Sequence, residues 1–91
     1  MNNISMRFVV SGMVQGVGFR YHTCYEGLKR NLTGYAKNLD NGDVEVIATG
    51  NEKELESLHQ WLAKGPKSSR VDGVVKYAHN TQVFKGFEIK Y

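Results

Sequence analysis

The run Val14-Gln15-Gly16-Val17-Gly18-Phe19-Arg20 is a glycine-rich turn that ends in an arginine. It lies between a strand-like stretch, Met6 to Ser11, and a helix-like one, Tyr21 to Leu32. At such a junction several backbone N–H groups can converge on one anion, aided by the positive end of the helix. Arg20 adds a planar, permanently charged fork that matches phosphate oxygens. The local chemistry is that of an anion site, with phosphate the best fit. Two nucleotide motifs are excluded. A dinucleotide fingerprint beginning at Gly16 needs Gly or Ala where Tyr21 stands, and no Gly-Lys-Ser/Thr tripeptide of a P-loop occurs. The same glycines would also serve a plain tight turn, and their spacing fits either.

The chain that must position these residues has 91 residues, enough for one domain spanning 1–91 with a single modest core. Hydrophobic content of 41% and charged content of 23% are those of an ordinary globular chain. The net charge of +3 favours small anions slightly. Its lysines and arginines are scattered among acids, which speaks against a nucleic-acid partner. No apolar run could span a bilayer and no signal pattern opens the chain, so a cytoplasmic protein without a membrane partner is expected. With Cys24 alone, no internal disulfide forms. Cys24 and the three histidines His22, His59 and His79 show no paired ligand spacing, so neither a metal nor another cofactor is expected.

Periodicity supplies the elements. Met6, Phe8 and Val10 alternate with Arg7 and Ser11 as in a half-buried strand. Tyr21, Tyr25, Leu28 and Leu32 recur at helical spacing and read as the buried stripe of a first helix, stopped by Thr33-Gly34 with Gly34 as a left-handed cap. Tyr35 to Leu39 and Val44 to Thr49 flank Asp40-Asn41-Gly42-Asp43, a hairpin signal. A second helix starts at Asn51, a capping residue with Glu54 three positions on, and buries Leu55, Leu58 and Leu62 with Trp61 alongside. Gly65-Pro66 ends it, and strands follow at Val71 to Tyr77 and Phe87 to Tyr91. The order β-α-β-β-α-β, with room for one short extra strand, predicts an α+β fold: a ferredoxin-like split β-α-β sandwich, its antiparallel sheet covered on one face by two helices.

Position by position, Gly12 to Arg20 resembles the signature of the acylphosphatases, small enzymes that hydrolyse carboxyl-phosphate mixed anhydrides. A second stretch, Gly34-Tyr35-Ala36-Lys37-Asn38 followed by a glycine turn and Val44-Glu45, resembles the other half of that signature. Gly65-Pro66, Arg70-Val71-Asp72 and Phe87-Glu88-Ile89 extend the likeness over nearly the whole chain. Ala36 stands where valine is usual and Tyr35 where tryptophan is frequent; neither removes a functional group. The resemblance implies that Arg20 binds phosphate, that the backbone amides of Gln15, Gly16, Val17, Gly18, Phe19 and Arg20 cradle it, and that Asn38 orients the attacking water. The implied partner is a small acyl phosphate, with inorganic phosphate or a similar anion as product or inhibitor. A monomer is expected, since neither coiled-coil heptads nor an oversized apolar face is present.

These residues are sufficient for that chemistry. The leaving carboxylate has a conjugate acid of pKa roughly 4, so it departs without a general acid. What is needed is a grip on the phosphoryl group, neutralisation of its oxygens and a water placed in line. Three alternatives have less support. Cys24 and Arg30 formally match the Cys-x5-Arg pattern of thiol phosphatases. On a helix, however, they point roughly 120° apart and are displaced by ~9 Å along the axis. An RNA-binding sheet would carry adjacent aromatics on central strands, and only a fragment of such a run is present at Val17 to Arg20. A carbamoyl-phosphate-handling domain within a larger maturation protein would be followed by further domains, whereas this sequence stops at Tyr91, which favours the free-standing enzyme.

Overall fold

A computed structural model describes residues 3–91. The elements are β1 (Ile4–Met13), α1 (Phe19–Lys29), β2 (Thr33–Asn38), β3 (Val44–Gly50), α2 (Glu52–Lys64), β4 (Arg70–His79) and β5 (Phe87–Lys90). The strands form one sheet in the order β4-β1-β3-β2-β5. The two β-α-β halves therefore interleave, as the ferredoxin-like sandwich requires. β1 pairs antiparallel with β3 and β4, and β2 pairs antiparallel with β3. β2 and β5 pair in parallel, so the sheet is mixed rather than wholly antiparallel. The reason lies in residues 80–86, which carry the chain from the β4 edge across the sheet to the β2 edge. Thr49 Oγ1 donates to the Gln82 carbonyl (2.7 Å), the Gln82 N–H donates to Ser5 Oγ (2.9 Å), and the Gly34 N–H donates to the Gly86 carbonyl (2.9 Å).

Alternation along the strands decides which side chains meet the helices. Phe8 and Val10 of β1, Ala36 of β2 and Val44, Val46 and Ala48 of β3 are fully buried in one cluster with Leu55, Leu58 and Leu62 of α2. Burial of each large aliphatic side chain contributes about 1.5–3 kcal/mol. α2 starts as its sequence predicts, with Asn51 Oδ1 accepting the Glu54 N–H at 2.8 Å. It ends at Gly65, whose N–H bonds to the Trp61 carbonyl at 2.7 Å.

α1 departs from expectation in two ways. The stripe Tyr21, Tyr25 and Leu28 faces solvent, at 67%, 60% and 52% exposure, and only Leu32 of the expected set is buried. The helix presents Phe19, Thr23, Cys24 and Gly27 to the sheet instead. It lies too close to β5 for large residues, since a Cβ at position 27 would run into the Phe87 ring. The left-handed residue past its end is Asn31 (φ 58°), while Gly34 lies within β2, where a side chain would strike the Ile47 carbonyl.

On the sheet face opposite the core, Glu45 ties β1, β2 and β3 together. Its carboxylate accepts from Arg7 Nε at 2.6 Å and from the Tyr35 hydroxyl at 2.7 Å. Burial of the carboxyl opposes its ionisation, but the bonds from Arg7 and Tyr35 and the charges of Arg7 and Lys37 outweigh it. The pKa of Glu45 therefore lies below its ordinary value of 4.5. Burial, with the Glu45 contact adding to it, pushes the Tyr35 hydroxyl up to about 12, so Tyr35 stays a neutral donor. A depressed carboxylate pKa stabilises the fold above the unfolded value, and the contribution is lost as pH falls through the lower folded value. Melting temperatures of the wild type and Glu45→Gln are therefore expected to differ above the ordinary carboxylate range and to converge as the solution is acidified through the lowered folded value of Glu45. A gap that persists unchanged into that acid range would contradict this assignment.

Candidate active site

The segment from Val14 to Arg20 joins β1 to α1 and is held at both ends by buried side chains. Val14 and Phe19 are each 1% exposed, and the Phe19 ring packs on Trp61 with centroids 6.0 Å apart. Just before the loop, the β1–β4 register shifts between Ser11 and Gly12, a bulge that re-aims the end of β1. Between the anchors, Gly16 (φ 74°) and Gly18 (φ 77°) adopt left-handed backbone conformations. Neither glycine is there for lack of space. A Cβ at Gly16 meets nothing within 4 Å, and one at Gly18 makes only an ordinary 3.8 Å contact with His22. Their positive φ is the requirement, and it is costly for any residue with a Cβ.

Gly18 is the N-cap of α1, and among the described residues no side chain caps the helix. The first bond of the helix runs from the His22 N–H to the Gly18 carbonyl (3.1 Å). The amides of Phe19, Arg20 and Tyr21 consequently have no acceptor within the helix. The first turn of α1 contains no acidic residue, whereas α2 has Asn51 as its cap and Glu52 and Glu54 in its first turn. The positive end of α2 is thus neutralised internally and that of α1 is left for an anion. Val14, Gly16, Gly18, Phe19, Arg20, Tyr21 and Ile89 enclose a cavity of about 130 Å³ here. A larger groove of about 590 Å³ lies between α2 and the β1–β4 edge, over Met6, Phe8 and Leu55. Its rim mixes Glu52 and Glu56 with Lys53 and Lys76.

Arg20 is half-buried at the mouth of the smaller cavity. Its Nη1 donates to the Lys90 carbonyl (3.2 Å), and its guanidinium sits 5.0 Å from the centre of the Tyr91 ring. Lys90 is the register partner of Lys37, next to Asn38 on β2. Arg20 and Asn38 are thereby brought to the same end of the sheet. Asn38 closes β2 opposite Val44, and its Oδ1 is buried without a hydrogen-bond partner among the described residues. An unsatisfied buried acceptor is costly, and a water or substrate proton would satisfy it.

Three contacts that hold this arrangement were not legible in the sequence. Gln15 enters the sequence argument only through its backbone amide, yet its side chain donates to the carbonyls of Leu39 and Asp43, each at 2.8 Å. It fastens the glycine loop to the β2–β3 connection beside Asn38. Ser68, from the turn before β4, donates to the Val17 carbonyl at 2.8 Å and braces the loop from the other side. The third is the support of Arg20 by Lys90 and Tyr91. The β2–β3 connection itself runs from Leu39 to Asp43, longer than a two-residue Asn-Gly turn. It closes through the Leu39 N–H to the Asp43 carbonyl (2.8 Å), and the Asp43 N–H bonds to Asn41 Oδ1 (3.0 Å).

Of the residues expected to form the site, Gly16, Gly18, Phe19 and Arg20 line this cavity, whereas Gln15, Val17 and Asn38 do not, and neither do His22, Cys24 or Arg30. His22 is exposed, with its ring edge-on to Tyr21. Cys24 is buried, and burial, only partly offset by Arg20, raises its thiol to about 11, far from a reactive thiolate. Arg30, the second half of the formal thiol-phosphatase pattern, is committed to Glu26 (2.6 Å) and Ser57 (2.9 Å). Trp61 packs against the core as expected, but Tyr25 does not.

Comparison with known proteins gives one consistent result. The acylphosphatase family model matches residues 6–89. A curated acylphosphatase of Vibrio vulnificus is 58% identical over 83 residues, covering 91% of this chain and 92% of that protein. The structure of an acylphosphatase from Coxiella burnetii superimposes with a TM-score of 0.93 at 34% identity, covering 98% of this chain and 94% of that one. The acylphosphatase of Bacillus subtilis superimposes with a TM-score of 0.91 at 37% identity, covering 97% and 99%.

Proposed function

This chain belongs to the acylphosphatase family and hydrolyses acyl phosphates, and we propose that it does so by direct attack of water on phosphorus within the Val14–Arg20 loop. The observation that carries this mechanism is the uncapped N-terminus of α1, with three amides lacking helical acceptors, beside Arg20 and the unpartnered Asn38 Oδ1. The phosphoryl group sits in the cavity, its oxygens taking hydrogen bonds from the loop amides between Gln15 and Arg20 and from the free edge of the Arg20 guanidinium. These donors are fixed before substrate arrives, so little reorganisation accompanies the gain of charge in the transition state.

Asn38 accepts a hydrogen bond from the attacking water and aims its oxygen at phosphorus. A new P–O bond forms as the bond between phosphorus and the acyl oxygen breaks, and the bonding pair leaves with the carboxylate. One water proton stays on the new P–OH and the other passes to a phosphoryl oxygen, giving dihydrogen phosphate. Among the described residues no group of three or more His, Cys, Asp or Glu gathers as a metal site. The proton balance here requires none.

Hydrolysis of benzoyl phosphate in ¹⁸O-labelled water tests the direction of attack. The label is expected in inorganic phosphate and not in benzoate. Label in benzoate would place the attack at carbon and overturn the scheme, as would a phosphorylated side chain trapped on the reaction path.

A further inference from the structure

We propose that the acyl part of the substrate lies along the exposed stripe of α1, with Tyr21 selecting apolar and above all aromatic acyl groups. This rests on the hydrolysis of acyl phosphates stated above and adds a substrate class to it. The cavity is small, about 130 Å³, and Tyr21 stands in its lining beside the loop that takes the phosphoryl group. The acyl group must therefore project through the mouth, and the side chains around that mouth decide what it meets.

On the inner wall stand Val14 and Ile89, both apolar. On the outer side Tyr21 lines the same cavity while keeping 67% of its surface exposed. Tyr25 and Leu28 follow on the same helical face at 60% and 52% exposure. At 1.5 Å per residue they extend this surface ~6 and ~10 Å from Tyr21 along the helix axis. Isolated exposed apolar residues are ordinary, but here three are consecutive on one face, and the first is a wall of the anion cavity. The core has no use for them, since α1 packs through Thr23, Cys24 and Gly27. A flat ring can stack or meet edge-on with an aromatic acyl group, and it offers a polar acyl group little beyond one hydroxyl.

The test compares kcat/KM for benzoyl phosphate and for acetyl phosphate in the wild type, Tyr21→Ser and Tyr21→Phe, with inhibition by inorganic phosphate measured alongside. Tyr21→Ser is expected to lower the benzoyl-to-acetyl ratio about tenfold, mainly through the KM for benzoyl phosphate and beyond any change in phosphate inhibition. Tyr21→Phe, which keeps the ring, is expected to restore the ratio. A ratio unchanged within twofold in Tyr21→Ser, or a loss as large in Tyr21→Phe as in Tyr21→Ser, would overturn the selecting role while leaving the hydrolase intact. A well-folded wild type that cleaves neither compound would instead overturn the hydrolase itself.

Discussion

Replacing Arg20 with alanine is expected to lower kcat/KM for an acyl phosphate by on the order of 10³ or more. Loss of one preorganised neutral donor costs roughly 10² to 10³ in rate, and a charged clamp on a transferring phosphoryl group is worth more. Both binding and the chemical step suffer, because Arg20 faces phosphoryl oxygens in the ground state and in the transition state. The fold should be nearly indifferent. Arg20 makes one exposed hydrogen bond, to the Lys90 carbonyl, and one ring contact, with Tyr91. Substitutions at such positions usually move stability by no more than about 0.5 kcal/mol. The comparison is thus clean: steady-state kinetics with benzoyl phosphate, beside a thermal melt of the same preparation. Arg20→Lys should recover only part of the loss, since an ammonium supplies charge without the two-pronged geometry. Activity of Arg20→Ala within tenfold of the wild type would remove Arg20 from the reaction.

Replacing Asn38 with alanine is expected to lower kcat by about 10² to 10³ while inorganic phosphate still inhibits. The carboxamide acts on the water rather than on the phosphoryl group, so its loss falls on the attack and not on the grip. Stability gives this prediction an independent arm. Asn38 Oδ1 is buried with no partner among the described residues, and an unsatisfied acceptor costs about 1–3 kcal/mol. Asn38→Ala removes that penalty, so its melting temperature is expected to equal or exceed that of the wild type. A group kept at a cost to the fold is what a stability–activity trade-off leaves at a working site. Asn38→Asp keeps an acceptor but sets a negative charge beside the phosphoryl oxygens, so here KM should rise as kcat falls. If Asn38→Ala kept full kcat, or if it melted several degrees lower, the water-orienting role would be replaced by a structural one.

The local elements were legible because their signals act between near neighbours. Alternation at Met6, Phe8 and Val10 marks a strand, and the β1 observed is the same strand extended at both ends. Asn51 with Glu54 marks the start of α2, and the capping bond is present. The loop glycines mark a tight turn between strand and helix, and Gly16 and Gly18 stand in that turn with left-handed backbone. The order of these elements also implied the layered α+β sandwich, since two helices, each following a strand, can cover only one face of a common sheet.

What the sequence did not carry is which groups meet when residues far apart in the chain are packed together. The 3.6-residue period of Tyr21, Tyr25 and Leu28 is real, but a period says only that a face exists, not which way it turns. Close packing of Gly27 against Phe87, across 60 positions, turned that face outward. The parallel pairing of β5 with β2 depended on a path across the sheet held by Ser5 and Thr49. Gln15 reaches Leu39 and Asp43, Ser68 reaches Val17, and Arg20 rests on Lys90, each over a separation of more than 20 residues. A side chain's periodicity and propensity are properties of its neighbours in the chain, and the sequence determined those. Its hydrogen-bond partner is fixed by where the packed core leaves a donor or acceptor in reach, and only the tertiary structure decided that.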